Sequence, residues 1–398
     1  MKRKWSLPAM VAGVLIGYML PVALTPTGQQ PSSVPPVRAP TNTGAAAPTV
    51  NPEATATTSR VEPTHSTLPE AVVFLVWATG GLPAPLVEGL LTNFEEVSIV
   101  RGDVVELSTH TGRLIPLDAL ALAPSAHAFY DRSGELDGLE PGAVVLGETS
   151  ARMRDAEPGD ILTLDGTDFV VAAIVRDVVI GAAEVVFDTS DQRSHVSTSR
   201  FALVGSTMAR QEFEDVVRGL YDGPAPLRIR TEGETPWLRH GDAVLPQVFI
   251  KEALGEFSYT HVGGTTFDQD QAFIDLNVVT SRVPLLGEVR CHRTVVDMLT
   301  GAMTELVDSG LAHLVEPGGF AGCWFPRFIS SRVGVSAGVS RHAWGAAVDL
   351  NAGSNPVGSS GNQDRRLIET MKQWGFTWGG DWLVPDPMHF EFASEAGS

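Results

Sequence analysis

The chain has 398 residues, enough for two or three domains, and 43% of them are hydrophobic, enough to build packed cores. A formal net charge of −19 repels phosphate backbones and excludes nucleic-acid binding as the main role. Two cysteines exclude a disulfide-rich scaffold and a zinc site of four thiolates, and leave room for one disulfide.

The N-terminus reads as a signal anchor or a cleaved signal peptide over residues 1–24. Lys2, Arg3 and Lys4 precede an apolar run from Leu7 to Leu24, the pattern of a secretory segment. At about 1.5 Å per residue that run reaches roughly 27 Å, just enough for a hydrocarbon core. The leading positive charges predict a cytoplasmic N-terminus and an exported remainder. Residues 25–68 are rich in Pro, Thr, Ser and Ala with almost no large apolar side chain. Such a segment cannot offset its ordering entropy by burial, so a disordered, semi-extended spacer is expected.

Folded sequence is expected from about Pro69, with a β-rich extracytoplasmic module over 69–225. Strand-like runs fall at Ala71–Trp77, Val97–Val100, Val104–Leu107, Ala143–Leu146, Ile161–Leu164 and Phe169–Val175. Asp165-Gly166 predicts a tight hairpin between the last two, and Pro141-Gly142 and Pro158-Gly159 predict further turns. The stretches Ala143–Met153 and Pro158–Leu164 look like the extracytoplasmic core domain of MacB-type ABC permeases. His110, His127 and His195 are isolated, with no cluster that signals chemistry, so a binding or spacing module is expected. Its protein partners are not legible.

Residues 226–398 carry an α+β pattern. Val295, Met298, Leu299, Ala302, Met303 and Leu306 recur at helical spacing within Arg293–Leu311, with Gly310 as a stop. A second helix is expected from about Asp364 to Trp374, ended by Gly375, and strands at Ala346–Leu350 and His389–Phe392.

Ser340-Arg-His342-Ala-Trp-Gly345-Ala-Ala347-Val-Asp349 is followed forty residues on by Asp386-Pro-Met-His389-Phe-Glu391. Two imidazoles and a carboxylate, His342, Asp349 and His389, suit Zn²⁺ and leave an open tetrahedral position, the mark of a catalytic site. A further carboxylate is then needed to carry a proton, and Asp386, between two prolines, is placed for that role. Gly345 and Ala347 suit a crowded site.

This pattern resembles the zinc peptidases that cut peptidoglycan stem peptides, the VanY-type D-Ala-D-Ala carboxypeptidases and the related phage L-alanyl-D-glutamate endopeptidases. Gly375-Phe-Thr-Trp-Gly-Gly-Asp-Trp382 looks like the endopeptidase branch. The resemblance implies a small antiparallel sheet with flanking helices, His342, Asp349 and His389 as zinc ligands, and Asp386 as general base. Many relatives carry Glu at the base position, so Asp386 is the shorter variant, and Asp381 is its rival. The resemblance also implies an Arg that stabilises the developing oxyanion. Arg327 is the best match, ahead of Arg332 and Arg341, and His292 is assigned a structural role.

A disulfide between Cys291 and Cys323 is expected of an exported chain. The expected function is therefore hydrolysis of peptidoglycan stem peptides by a zinc peptidase of the cell envelope, tethered to the membrane or secreted. The alternative is a catalytically weak wall-binding or membrane-complex protein in which the middle module is the main functional part.

Overall fold

The computed structural model describes residues 72–130, 134–231, 234, 244–329 and 338–394. The expected anchor at 1–24 and spacer at 25–68 lie outside the described residues, as does Arg332. Among the described residues no helix is long and apolar enough to cross a membrane.

Among the described residues the architecture is mixed α/β, with one large sheet and two small antiparallel ones. The first elements are β1 (Val72–Ala78), α1 (Ala84–Asn93), β2 (Glu96–Ser108), β3 (Leu114–Leu122) and α2 (Pro124–Tyr130). Next come β4 (Ala143–Gly147), α3 (Glu148–Arg154), β5 (Ile161–Leu164), β6 (Thr167–Val175) and β7 (Val185–Asp188). This half ends with β8 (Ser199–Ser206), α4 (Arg210–Gly219) and β9 (Leu227–Thr231).

The pairings β2–β3, β3–β7, β7–β4, β4–β6, β6–β5 and β5–β2 close into a ring. Alternation along the strands sorts their side chains by face. Leu117, Ala119, Ala121, Val144, Leu146, Val185 and Phe187 meet in one core cluster, whereas Leu120, Leu122, Val145 and Val186 enter another. Beyond the ring, β2 continues through β8 and β1 to β9. Helices α1 and α4 cover this part, with Phe213 stacked on Phe74 at 3.9 Å between ring centroids.

The hairpin at Asp165-Gly166 has positive φ at both residues, 48° and 76°, as a tight turn matching strand twist requires. In the Pro-Gly turns, Ala143 N–H donates to Glu140 O at 3.0 Å and Asp160 N–H to Glu157 O at 3.1 Å. The runs 97–100 and 104–107 are not separate strands but parts of one continuous β2. Gly102 does not break it, because its N–H donates to Thr198 O at 2.9 Å and the Arg200 side chain packs on its bare face. The irregularity is absorbed by a register shift between Val100 and Arg101.

The second half opens with α5 (Gln247–Leu254), β10 (Tyr259–His261) and β11 (Phe267–Gln269). Tyr259 pairs with Leu114, so these two strands extend the large sheet from its β3 side. Then follow α6 (Gln271–Asn277), β12 (Val278–Val283), β13 (Gly287–His292), α7 (Arg293–Asp308), β14 (Ala347–Asp349), α8 (Arg365–Gln373), β15 (Phe376–Trp378) and β16 (His389–Phe392). The expected helices and strands of this half are present. Asp364 caps α8 by accepting from Arg366 N–H, and Gly310 and Gly375 adopt positive φ just past the helix ends. A three-stranded sheet, β14-β16-β15, shares one core with α7 and α8. Cys291 and Cys323 form a disulfide, with Cα atoms 5.4 Å apart.

Candidate metal centre

Three local devices bring His342, Asp349 and His389 together. A 3-10 turn at Arg341–Trp344 carries His342, and Gly345 ends it in the left-handed region at φ 64°. A Cβ at Gly345 would meet His292 N at 2.4 Å, so the crowding inferred there comes from the β13 backbone. Asp349 ends β14 and His389 begins β16, and antiparallel register sets the two opposite each other. Their ligand atoms and that of His342 lie within 4.8 Å of one another.

The imidazoles are oriented from behind. His342 Nδ1–H donates to Cys323 O at 2.7 Å, which leaves Nε2 on the cluster side, 3.4 Å from Asp349 Oδ2. His389 Nε2–H donates to Glu391 Oε2 at 3.0 Å, which turns Nδ1 to Asp349 Oδ1 at 3.2 Å. A carboxylate or carbonyl behind an imidazole fixes its tautomer and raises its basicity, as metal-binding histidines require. Burial opposes charge on Asp349, but the two histidines beside it outweigh burial and hold its carboxyl well below the usual range. Burial likewise opposes a charged His389, yet Asp349 and Glu391 push it up to about 10. Two nitrogens and a carboxylate oxygen converging under negative charge form a donor set that fits Zn²⁺.

Asp386 lies beside this cluster. Its backbone oxygen accepts from His389 N–H at 3.1 Å, and its own N–H donates to Gly379 O at 2.9 Å. A Cβ on Gly379 would lie 2.6 Å from Asp386 O and 3.3 Å from His389 Cβ, so glycine lets the two approach. Asp386 Oδ1 is buried without a hydrogen-bond partner. Burial pushes its carboxyl up from the ordinary value; His389, His342 and Arg327 pull the other way, and burial wins.

Arg327 is partly buried and its positive charge acts on Asp386. Arg341 donates to Leu245 O at 2.7 Å and lies 3.8 Å from Glu391. Asp381 is not part of the cluster: it is exposed and pairs with Lys372 at 2.8 Å. His292 caps α7 by accepting from Thr294 N–H and bonds to Leu254 O through its other nitrogen. Two residues given no role in the sequence reading touch the centre. Glu391 holds His389, and the Trp382 ring lies 5.1 Å from the His389 ring. The i, i+2 spacing of His389 and Glu391 on a strand was the available signal for the first.

Comparison with known proteins supports the same region. Residues 334–392 match the family model described as D-alanyl-D-alanine carboxypeptidase. That stretch contains His342, Asp349, Asp386 and His389 but not Arg327. No curated protein matches the chain. Among solved structures, the periplasmic region of MacB from Actinobacillus actinomycetemcomitans is similar to the middle region at 10% identity and a TM-score of 0.28. The match covers 40% of this chain and 87% of that one. The extracellular domain of the ABC-type transporter YknZ from Gram-positive bacteria matches at 9% identity and TM-score 0.28, over 40% of this chain and 99% of that one.

Proposed function

We propose that the chain is an extracytoplasmic zinc peptidase acting on peptidoglycan stem peptides, with its C-terminal region as the catalytic part. The observation that carries this reading is the convergence of His342, Asp349 and His389 beside Asp386, whose Oδ1 is buried and unpartnered, inside the stretch that matches the family. The export signature at the N-terminus and the Cys291–Cys323 disulfide support an oxidising location.

Zinc held by His342, Asp349 and His389 would supply Lewis acidity, making water more acidic and polarising the scissile carbonyl. The protein does the rest. Asp386 takes the proton from the attacking water and delivers it to the leaving amine, a task suited to a carboxyl whose pKa burial has raised above the ordinary value. Arg327 offsets negative charge that develops on the carbonyl oxygen. Glu391 and the Cys323 carbonyl keep both imidazoles aimed at the cluster, so no reorientation is needed.

The test is mass spectrometry of purified muropeptides incubated with the zinc-loaded chain, beside His342→Ala. Wild type should bind about one zinc and release either a terminal D-Ala or an L-Ala-D-Glu cleavage product, and the variant should lose metal and turnover together. Full zinc content and turnover in His342→Ala would overturn the ligand assignment. No product from zinc-loaded wild type would favour the wall-binding alternative.

A further inference from the structure

A cleft of about 300 Å³ opens where the large-sheet module meets the candidate catalytic region. Trp77, Asp118 and Arg200 line it from the sheet side, and Arg341, Trp382 and Glu391 from the other. The last two connect it to the metal centre, since Glu391 holds His389 and Trp382 packs on it. The cleft therefore reaches the residues that support His389 from behind, and half its charged wall belongs to a module outside the matched peptidase stretch.

Hydrogen-bonding capacity indicates what the cleft accepts. Asp118 is engaged by Arg200 at 2.7 Å, and Glu391 by His389 at 3.0 Å and, more loosely, by Arg341 at 3.8 Å. Each guanidinium has five N–H donors. Arg200 spends its bond on Asp118, and Arg341 its bond on Leu245 O. Trp382 Nε1–H is buried with no acceptor. Glu391, 2% exposed, keeps one oxygen without a hydrogen-bond partner. Both guanidinium groups keep N–H donors beyond these bonds, and Trp77 and Trp382 also line the cleft, so a group with an apolar stem and a carboxylate head is the complement. The sheet wall is also fixed. Gln247, on the cleft lining, donates to buried Glu184 at 2.7 Å and to Pro116 O at 3.0 Å.

We propose that this cleft is a substrate subsite built jointly by the two parts of the chain. It takes a carboxylate-bearing residue of the peptide away from the bond that is cut, with Arg200 as the specificity-determining group. This rests on the peptidase reading, and the experiment separates the two. The zinc-loaded chain is given synthetic peptides with a carboxylate one, two or three residues from the scissile bond, each beside its primary-amide twin. KM and kcat are measured, and binding of the same pairs to the zinc-free chain is measured by calorimetry.

At one position wild type should prefer acid over amide by roughly tenfold or more, the usual worth of a charge-assisted bond. Arg200→Gln should bring that ratio near unity, with the loss in KM. Asp118→Asn, which removes the opposing negative charge and keeps the guanidinium, should raise the ratio. It decides the matter if Arg200→Gln does not fold. No acid preference in wild type, an unchanged ratio in folded Arg200→Gln, or an unraised ratio in Asp118→Asn would overturn the subsite. If no peptide is cut but the acid twin still binds through Arg200, the peptidase reading fails and the subsite stands.

Discussion

Asp386 and Asp381 stand five positions apart in a turn-rich stretch, yet their surroundings are opposite. Asp386 is half-buried, with its Oδ1 enclosed and unpartnered, whereas Asp381 is exposed and paired with Lys372. Asp386→Asn keeps volume and removes the basic oxygen, so zinc should stay bound while kcat falls by ~10²–10⁴. Asp381→Asn should leave turnover nearly intact. Metal content read beside kcat checks both; turnover lost in Asp381→Asn, with Asp386→Asn active, would reverse the assignment. Glu391→Gln tests the support behind His389. The weaker acceptor should cost about tenfold or more in zinc affinity, measured by chelator competition, and unaltered affinity would show that Glu391 does not tune the imidazole. The grouping of His342, Asp349 and His389 was legible because residue types and spacing carry it. The Glu391 contact was not assigned, since an acidic residue two positions along a strand is also a common solvated side chain. The Cys323 carbonyl behind His342 carries no sequence signal, being backbone.

At the scale of elements, local chemistry was the readable part. Helix α7 shows its apolar spacing openly, and Asp165-Gly166 encodes its turn. The parallel pairs β3–β7 and β4–β6 depend on residues far apart in the chain, which periodicity does not reveal. The cap of α7 was also hidden, because histidine is an unusual capping residue. His292 Nδ1 accepts from Thr294 N–H while Nε2–H donates to Leu254 O, so only the neutral ring makes both bonds. Burial first, and then Arg293, hold its pKa down to about 4, against a weaker opposing effect of the Leu254 bond. A lowered folded pKa means that the unfolded chain binds the proton more readily. Stability from this residue is complete above pH 6.5 and is lost as pH falls toward 4, by about 3 kcal/mol at most. Urea unfolding at pH 7 and pH 4.5 should show that loss in wild type and much less of it in His292→Asn, which keeps a capping side chain. Equal pH dependence in both would remove His292 as the cause.

At the scale of the whole molecule, a buried ionic network fastens α5 to the ring of strands. Lys251 Nζ donates to Glu184 Oε1 at 2.8 Å and to Pro116 O at 2.6 Å, and lies 2.9 Å from Glu256. Arg154 reaches Glu184 at 3.0 Å and Glu256 at 2.6 Å, and Lys251 and Glu184 are fully enclosed. Burial alone would raise the Glu184 carboxyl; Lys251 and Arg154 outweigh it and hold the carboxyl below its ordinary value. Nothing in the sequence pairs Lys251 with an acid 67 residues earlier. An intact pair of this kind contributes little over a good apolar replacement, but breaking it strands a charge at a cost of ~3–5 kcal/mol. Lys251→Met should therefore destabilise the chain by about that much, and adding Glu184→Gln should recover a large part of it. The sheet passes from β3 into β10 and the network bridges the same junction, so tryptophan fluorescence and zinc release should report one unfolding transition in wild type. In Lys251→Met zinc release should begin at lower urea than the main transition, because the junction holding α5 yields first. A double-mutant cycle without coupling, or two separate transitions already in wild type, would show that the halves are stabilised independently and that the network does not join them.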